Sequence, residues 1–173
     1  MKAAERYIRM NQIGFGGNCH WCTEAVFQSL KGVSEVKQGW IASEGRAADF
    51  SEAVLINFDP GIIPEATLIA IHLYTHSCTS NHSMRTRYRS AVYTVDDAQA
   101  TKALEIVINL QSEFDKPIIT TVLPLKEFKL NKEEDLNYYY KNPDKPFCRS
   151  YISPKLKILI DRFSEEVNSN LVY

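Results

Sequence analysis

Ala53-Val54-Leu55-Ile56-Asn57-Phe58 is an almost unbroken apolar run, closed by Asp59-Pro60-Gly61. A run of this length suits a strand buried on both faces, and the Asp-Pro-Gly behind it is turn chemistry. Upstream, Tyr7 to Phe15 carries Tyr7, Ile8, Met10, Ile13 and Phe15 before Gly16-Gly17, which reads as a strand ended by a tight turn. Trp21, Ala25 and either Phe27 or Leu30 then recur at helical spacing up to Gly32. Val33 to Ala42 is a second strand before the buried run, joined to it by a polar connection over Ser43 to Asp49.

Beyond the buried run, Pro64 opens a helix to about Tyr74, and Thr75 to Arg87 is a polar loop. Arg89 to Val95 is the next strand. Asp96 then caps a helix with Ala100, Leu104, Val107 and Leu110 on its inner face, and Pro117 to Leu123 is a further strand. Strand, helix, strand, strand, helix, strand is the split β-α-β order of a two-layer, ferredoxin-like α/β (α+β) sandwich, here with an extra helix and strand and a mixed sheet. After Pro124 the chain turns charged and tyrosine-rich. Asn142-Pro143 and Pro146 mark a tail carrying Cys148, and Ser153-Pro154 starts a last helix with Leu156, Ile160, Phe163 and Val167 inward. With 173 residues, 45% of them apolar, residues 1–173 are expected as a single domain: a core over about 7–125 and a tail and terminal helix over 126–173.

Lys and Arg total 20 against 21 Asp and Glu, so no strong field draws the chain to nucleic acid or anionic lipid. The N-terminal MKAAERYIRM lacks an apolar signal core, and no stretch approaches the ~20 apolar residues needed to span a bilayer. A cytoplasmic monomer, free of membrane and nucleic acid, is the expectation. Neither a P-loop nor a dinucleotide fingerprint is present, so no cofactor is expected.

Four cysteines in such a chain, two of them spaced as Cys19-X-X-Cys22, point to redox or metal chemistry more than to a structural disulfide framework. The Gly16-Gly17 turn delivers Cys19 to the first turn of a helix. Free N–H groups and the helix dipole favour an anion there, so Cys19 tends toward thiolate and is the first candidate nucleophile. Cys22 is close enough across that turn for a reversible disulfide. His72, His76, Cys78 and His82 fit no strong zinc spacing and read as a polar loop with its own hydrogen bonds and a buried Cys78; no metal is expected.

Gly17-Asn18-Cys19-His20-Trp21 resembles the Gly-Gly-Cys-Phe-Trp signature of the A class of peptide methionine sulfoxide reductases, which act on the S epimer. Arg85-Thr86-Arg87-Tyr88-Arg89-Ser90 is similar to that family's Gly-Thr-Gln-Tyr-Arg-Ser, and Asp115 to Thr120 to its Asp-Lys-Pro-Ile-Val-Thr strand entry. The likeness extends from about Ile13 to Cys148. It implies Cys19 as nucleophile, Glu52 as general acid and Tyr88 as the phenol that polarises the sulfoxide oxygen. An acid of raised pKa suits the step, because the oxygen leaves protonated.

The same resemblance places the substrate's S-methyl group against Trp21. His20 stands where the family has phenylalanine, Trp40 where it has a second tyrosine, and Ser83 where it usually has aspartate, so these three alter the substrate and oxygen pocket. Cys148 matches the family's tail cysteine that resolves the oxidised nucleophile, a task suited to a flexible tail, and Cys22 competes for that role. Thioredoxin is the implied reductant, and methionine sulfoxide, free or in proteins, the implied substrate. A disulfide oxidoreductase using Cys19 and Cys22, and a non-catalytic sulfoxide- or zinc-binding module, are the alternatives.

Overall fold

The computed structural model describes residues 11–168. Its centre is one mixed sheet of six strands in the order β5-β4-β1-β3-β2-β6. The strands are β1 (Asn11–Gly16), β2 (Val33–Ala42), β3 (Ser51–Phe58), β4 (Ala91–Thr94), β5 (Thr121–Pro124) and β6 (Glu127–Leu130). The helices are α1 (His20–Gln28), α2 (Glu65–Tyr74), α3 (Asp97–Leu110), α4 (Tyr138–Lys141) and α5 (Ser153–Phe163). The inner four strands run antiparallel, β4-β1-β3-β2, which is the expected ferredoxin-like sandwich. Helix α3 carries the chain over to β5, which joins β4 in parallel.

The apolar run is β3. It is flanked by β1 and β2 on either side, and every residue from Ser51 to Phe58 except Asn57 is buried. Helix α1 packs back on this sheet through Phe27, whose ring stacks on Phe15 of β1 with centroids 4.6 Å apart. Burial of Phe15, Phe27, Ile13, Val54 and Ile56 contributes roughly 2 kcal/mol per side chain.

Several boundaries differ from the sequence reading. The first strand is described from Asn11, and Tyr7 to Met10 of the expected strand lie outside the described residues. β4 and β5 are shorter than expected. Pro117 to Thr120 do not join the sheet, because the Ile118 N–H donates to Gln111 Oε1 and the Ile119 N–H to the Cys78 carbonyl. On α3 the buried residues are Ala103 and Val107, with Ile106 and Leu110 packed beside them, while Leu104 is 50% exposed. The inward stripe is therefore rotated from the Ala100-Leu104 line. On α5 the buried positions are Leu156 and Leu159, with Ile160 half-buried.

Strand β6 was not anticipated. Glu127-Phe128-Lys129-Leu130 is too short and too polar to stand out, yet it pairs antiparallel with Gly39–Ala42 of β2. Gly39 is what permits the approach: a Cβ there would run into the Lys129 carbonyl. The tail is also tied down. Glu24 of α1 accepts from the Asn137 and Tyr138 N–H groups at 3.0 and 3.1 Å, capping α4, and Ser29 Oγ lies 2.5 Å from the Tyr140 hydroxyl. Before α5, Cys148–Ile152 form a π-helical turn with Cys148 and Ile152 in the core. Among the described residues no helix is long and apolar enough to cross a membrane.

Candidate active site

Cys19 is the N-cap of α1. The chain arrives there from β1 through Gly17, whose φ of +149° is open to glycine, and a Cβ on Gly17 would lie 2.5 Å from His76 Cδ2. His72 and His76 of the α2 end brace this turn. The His72 ring bonds the Gly16 carbonyl at 2.8 Å, and His76 bonds the His72 carbonyl and Ser90 Oγ. Both rings are buried and stacked, and burial holds His72 well below the usual histidine range and His76 down to about 3. They are neutral struts, not ligands free for a metal. Cys78 is buried as expected, and among the described residues no cluster of metal-ligating groups forms.

The Cys22 thiol donates to Cys19 and is the main cause of a lowered Cys19 pKa. The Trp21 and Cys22 backbone N–H groups add to it, while burial and the Glu52 charge oppose it. Cys22 is pushed up in turn by the same hydrogen bond and by burial. Two thiols pushed in opposite directions are thus held side by side, with Cys19 half-buried and Cys22 buried.

Cys19 and Cys22 line a cleft of about 330 Å³ together with Tyr88, Met84, Phe147, Tyr151 and Lys155. Tyr88 is held as a phenol: burial, then the Glu52 carboxylate, raise its pKa. Lys155 reaches in from α5, donating to the Thr75 carbonyl at 2.9 Å and Asn18 Oδ1 at 3.3 Å, so a cation stands at the Cys19 side.

Glu52, 3% exposed, lies behind the first turn of α1, where Oε1 accepts from the His20 N–H at 3.3 Å. Its Oε2 takes the Arg87 Nε at 2.6 Å, and the His20 ring Nε2 is 3.3 Å from Oε1. The bond to Glu52 raises the Arg87 pKa further. His20 does not line the cleft as a substitute for phenylalanine; it is buried behind Glu52, with Nδ1 2.9 Å from the Gly39 carbonyl. Trp40 sits opposite Glu52 in the β2–β3 register and meets the His20 ring edge-on at 5.2 Å.

Trp21 is half-buried and stacks flat on Tyr138 at 3.9 Å, with Phe147 edge-on at 5.5 Å. Ser83 is not brought to the cleft; it is exposed on the loop before Tyr88. Nor is Cys148 on a loose tail. It is 0% exposed, its thiol directed at the Asn142 carbonyl at 3.5 Å, and burial raises its pKa.

Sequence reasoning missed Arg85, Arg87, Asn131 and Lys155. Arg85 gathers four carbonyls, those of Gly17, Ser77, Ser80 and Tyr88, and so ties the Tyr88 loop to the Cys19 turn. The one available signal was charge: Arg85 and Arg87 replace the uncharged glycine and glutamine of the motif that Tyr88 belongs to.

A half-buried cysteine of lowered pKa at a helix N-cap, a second thiol bonded to it, a phenol across the cleft and a carboxylate behind it have the make-up of a thiol-based redox site on a ferredoxin-like sheet. Residues 11–167 match the family model for peptide methionine sulfoxide reductase, and the chain belongs to that family. Peptide methionine sulfoxide reductase MsrA of Chromobacterium violaceum is 33% identical over 171 residues, covering 90% of this chain and 97% of that one. The structure of methionine sulfoxide reductase A of Corynebacterium diphtheriae superposes with a TM-score of 0.68 at 26% identity, covering 78% and 76% of the two chains. Mxr1 of Saccharomyces cerevisiae, in complex with Trx2, shares the fold at a TM-score of 0.59 and 22% identity, covering 73% of this chain and 83% of that one.

Proposed function

We propose that this chain reduces the S epimer of methionine sulfoxide, free or in proteins, with Cys19 as nucleophile and a Cys19–Cys22 disulfide as product. The observation that carries it is Cys19 at the α1 N-cap, its pKa lowered first by the Cys22 hydrogen bond, in one cleft with Cys22 and Tyr88. Cys19 attacks the sulfoxide sulfur. Glu52 supplies the proton to the oxygen with the Tyr88 hydroxyl beside it, and methionine leaves a sulfenic acid on Cys19. The Cys22 thiol then condenses with it, releasing water. Cys22 is the favoured partner over Cys148, because it already bonds Cys19 while Cys148 is packed in the core.

The half-buried Cys19 sulfur is the accessible end of that disulfide, so an external dithiol attacks there. Thioredoxin is the proposed reductant, in keeping with the family and with the Trx2 complex of the yeast relative. The apolar cleft walls Met84, Phe147 and Tyr151 suit the substrate's S-methyl group and its neighbours.

The test is a single turnover without reductant. Wild type is expected to release one equivalent of methionine per chain and to lose two thiols, and Cys19→Ser to release none. Methionine formed by Cys19→Ser at the wild-type rate would defeat the assignment.

A further inference from the structure

The His20 ring has a fixed proton inventory. Nδ1 faces the Gly39 carbonyl at 2.9 Å, and a carbonyl only accepts, so Nδ1 carries hydrogen in every state. Any proton that comes and goes is therefore on Nε2. That nitrogen has two neighbours of opposite kind: Glu52 Oε1 at 3.3 Å and the Asn131 amide Nδ2 at 3.4 Å. Protonated Nε2 stands in an ion pair with the Glu52 carboxylate. Bare Nε2 accepts from Asn131, whose Nδ2 is oriented by its other bond to Gln38 Oε1 at 2.7 Å. Both states of the ring are provided with a partner.

We propose that His20 is the proton store behind Glu52. Nε2 holds a proton between turnovers and passes it to Glu52 Oε1 as Glu52 gives its own to the sulfoxide oxygen, and Asn131 then takes the emptied Nε2. This rests on Glu52 as the acid of the proposed reaction. The balance is closed. Cys19 thiolate, protonated Glu52 and sulfoxide become Cys19 sulfenic acid, Glu52 carboxylate and methionine; His20 imidazolium restores Glu52 and is itself refilled from solvent.

The surroundings bear on the same proton from each side. Arg87, from the loop between α2 and β4, takes the other Glu52 oxygen, Oε2, at 2.6 Å. Cys19, at the N-cap, and the buried Glu24, whose pKa burial raises, flank His20 on α1. From β2 and β6 come Trp40, edge-on to the ring, and Lys129, whose Nζ stands 5.6 Å from the centre of that indole. His20 thus acts through Glu52 and is a positioning residue for its proton.

The test is the pH dependence of the single-turnover rate in wild type, His20→Phe, Asn131→Asp and Glu52→Gln, with ¹⁵N spectra of the His20 ring. His20→Phe is expected to move the alkaline fall in rate to lower pH by about one unit, so its loss at pH 8 is roughly tenfold larger than at pH 6. Asn131→Asp, which places a carboxylate at Nε2, moves it the other way. In wild type Nδ1 stays protonated while Nε2 titrates, and Glu52→Gln, which needs no change at His20, shifts that titration to lower pH. An equal loss at every pH in His20→Phe, or a protonated Nε2 with bare Nδ1 at high pH, would overturn the proposal. A full rate in Glu52→Gln would overturn the acid assignment itself and this inference with it, even if the ring titration still moved.

Discussion

Cys19, Cys22 and Cys148 occupy three different environments: a half-buried helix cap, a buried position bonded to that cap, and the core. Cys22→Ser is therefore expected to release one equivalent of methionine and then stall with a sulfenic acid that dimedone traps, failing to turn over with thioredoxin. Cys148→Ser keeps thioredoxin-driven turnover, with a modest stability loss. Mass spectrometry of the two variants after one turnover checks both, and a dimedone adduct in Cys148→Ser but not in Cys22→Ser would reverse the roles. Glu52→Gln is expected to lower the single-turnover rate by roughly 10²-fold, the usual worth of a positioned acid, with binding of substrate little changed. The position of Cys19 at a helix cap was legible from its own neighbourhood, because glycines before it and helical spacing after it put it there. The proposed role of Glu52 came only through resemblance. Its partners His20 and Arg87, and Asn131 behind His20, lie far away in sequence or, for His20, look like an ordinary position on a helix face.

At the scale of elements, the site depends on two joints. Gly17 is the first, and Gly17→Ala forces a side chain into a left-handed backbone position and against the His76 ring, so a loss of about 2 kcal/mol or more in urea unfolding is expected together with loss of activity. The second is Glu24, a buried carboxylate whose pKa is raised by burial and which caps α4 through two backbone N–H groups. Glu24→Ala leaves those donors unpaired and is expected to cost about 1–3 kcal/mol, with faster hydrogen exchange at Asn137 and Tyr138 than in wild type. Unchanged exchange there would show that α4 is held by other means. The strand order was readable because Gly16-Gly17, Asp59-Pro60-Gly61 and Asp96 punctuate long apolar segments. β6 was not, since its pairing is permitted by a glycine on another strand and not by its own residues. The supposed loose tail failed for a similar reason: Cys148 and Ile152 are buried by packing against α1 and α5, which local composition does not reveal.

Across the whole molecule, His72 and His76 couple stability to pH. Both are lowered in the folded chain, His76 to about 3, whereas an unfolded histidine titrates near ~6.5. Below that pH the unfolded chain takes up protons that the folded chain refuses. Stability is therefore full above about pH 6.5 and falls on acidification toward pH 3, by up to about 1.4 kcal/mol per pH unit for each histidine. Urea midpoints between neutral and mildly acid pH are expected to drop accordingly, and His76→Gln, which can still bond Ser90, to flatten the slope by one proton. A midpoint that stays level over that range would mean that these rings are charged in the fold. The same pair braces the Gly16-Gly17 turn, so acid loosening and loss of Cys19 reactivity should coincide. Most direct for the chemistry as a whole is turnover of the separated S and R epimers of a methionine sulfoxide peptide, with dithiothreitol as reductant and Cys19→Ser alongside. Reduction of the S epimer alone, abolished in Cys19→Ser, is the expected result; equal reduction of the R epimer, or S turnover that survives without Cys19, would contradict it.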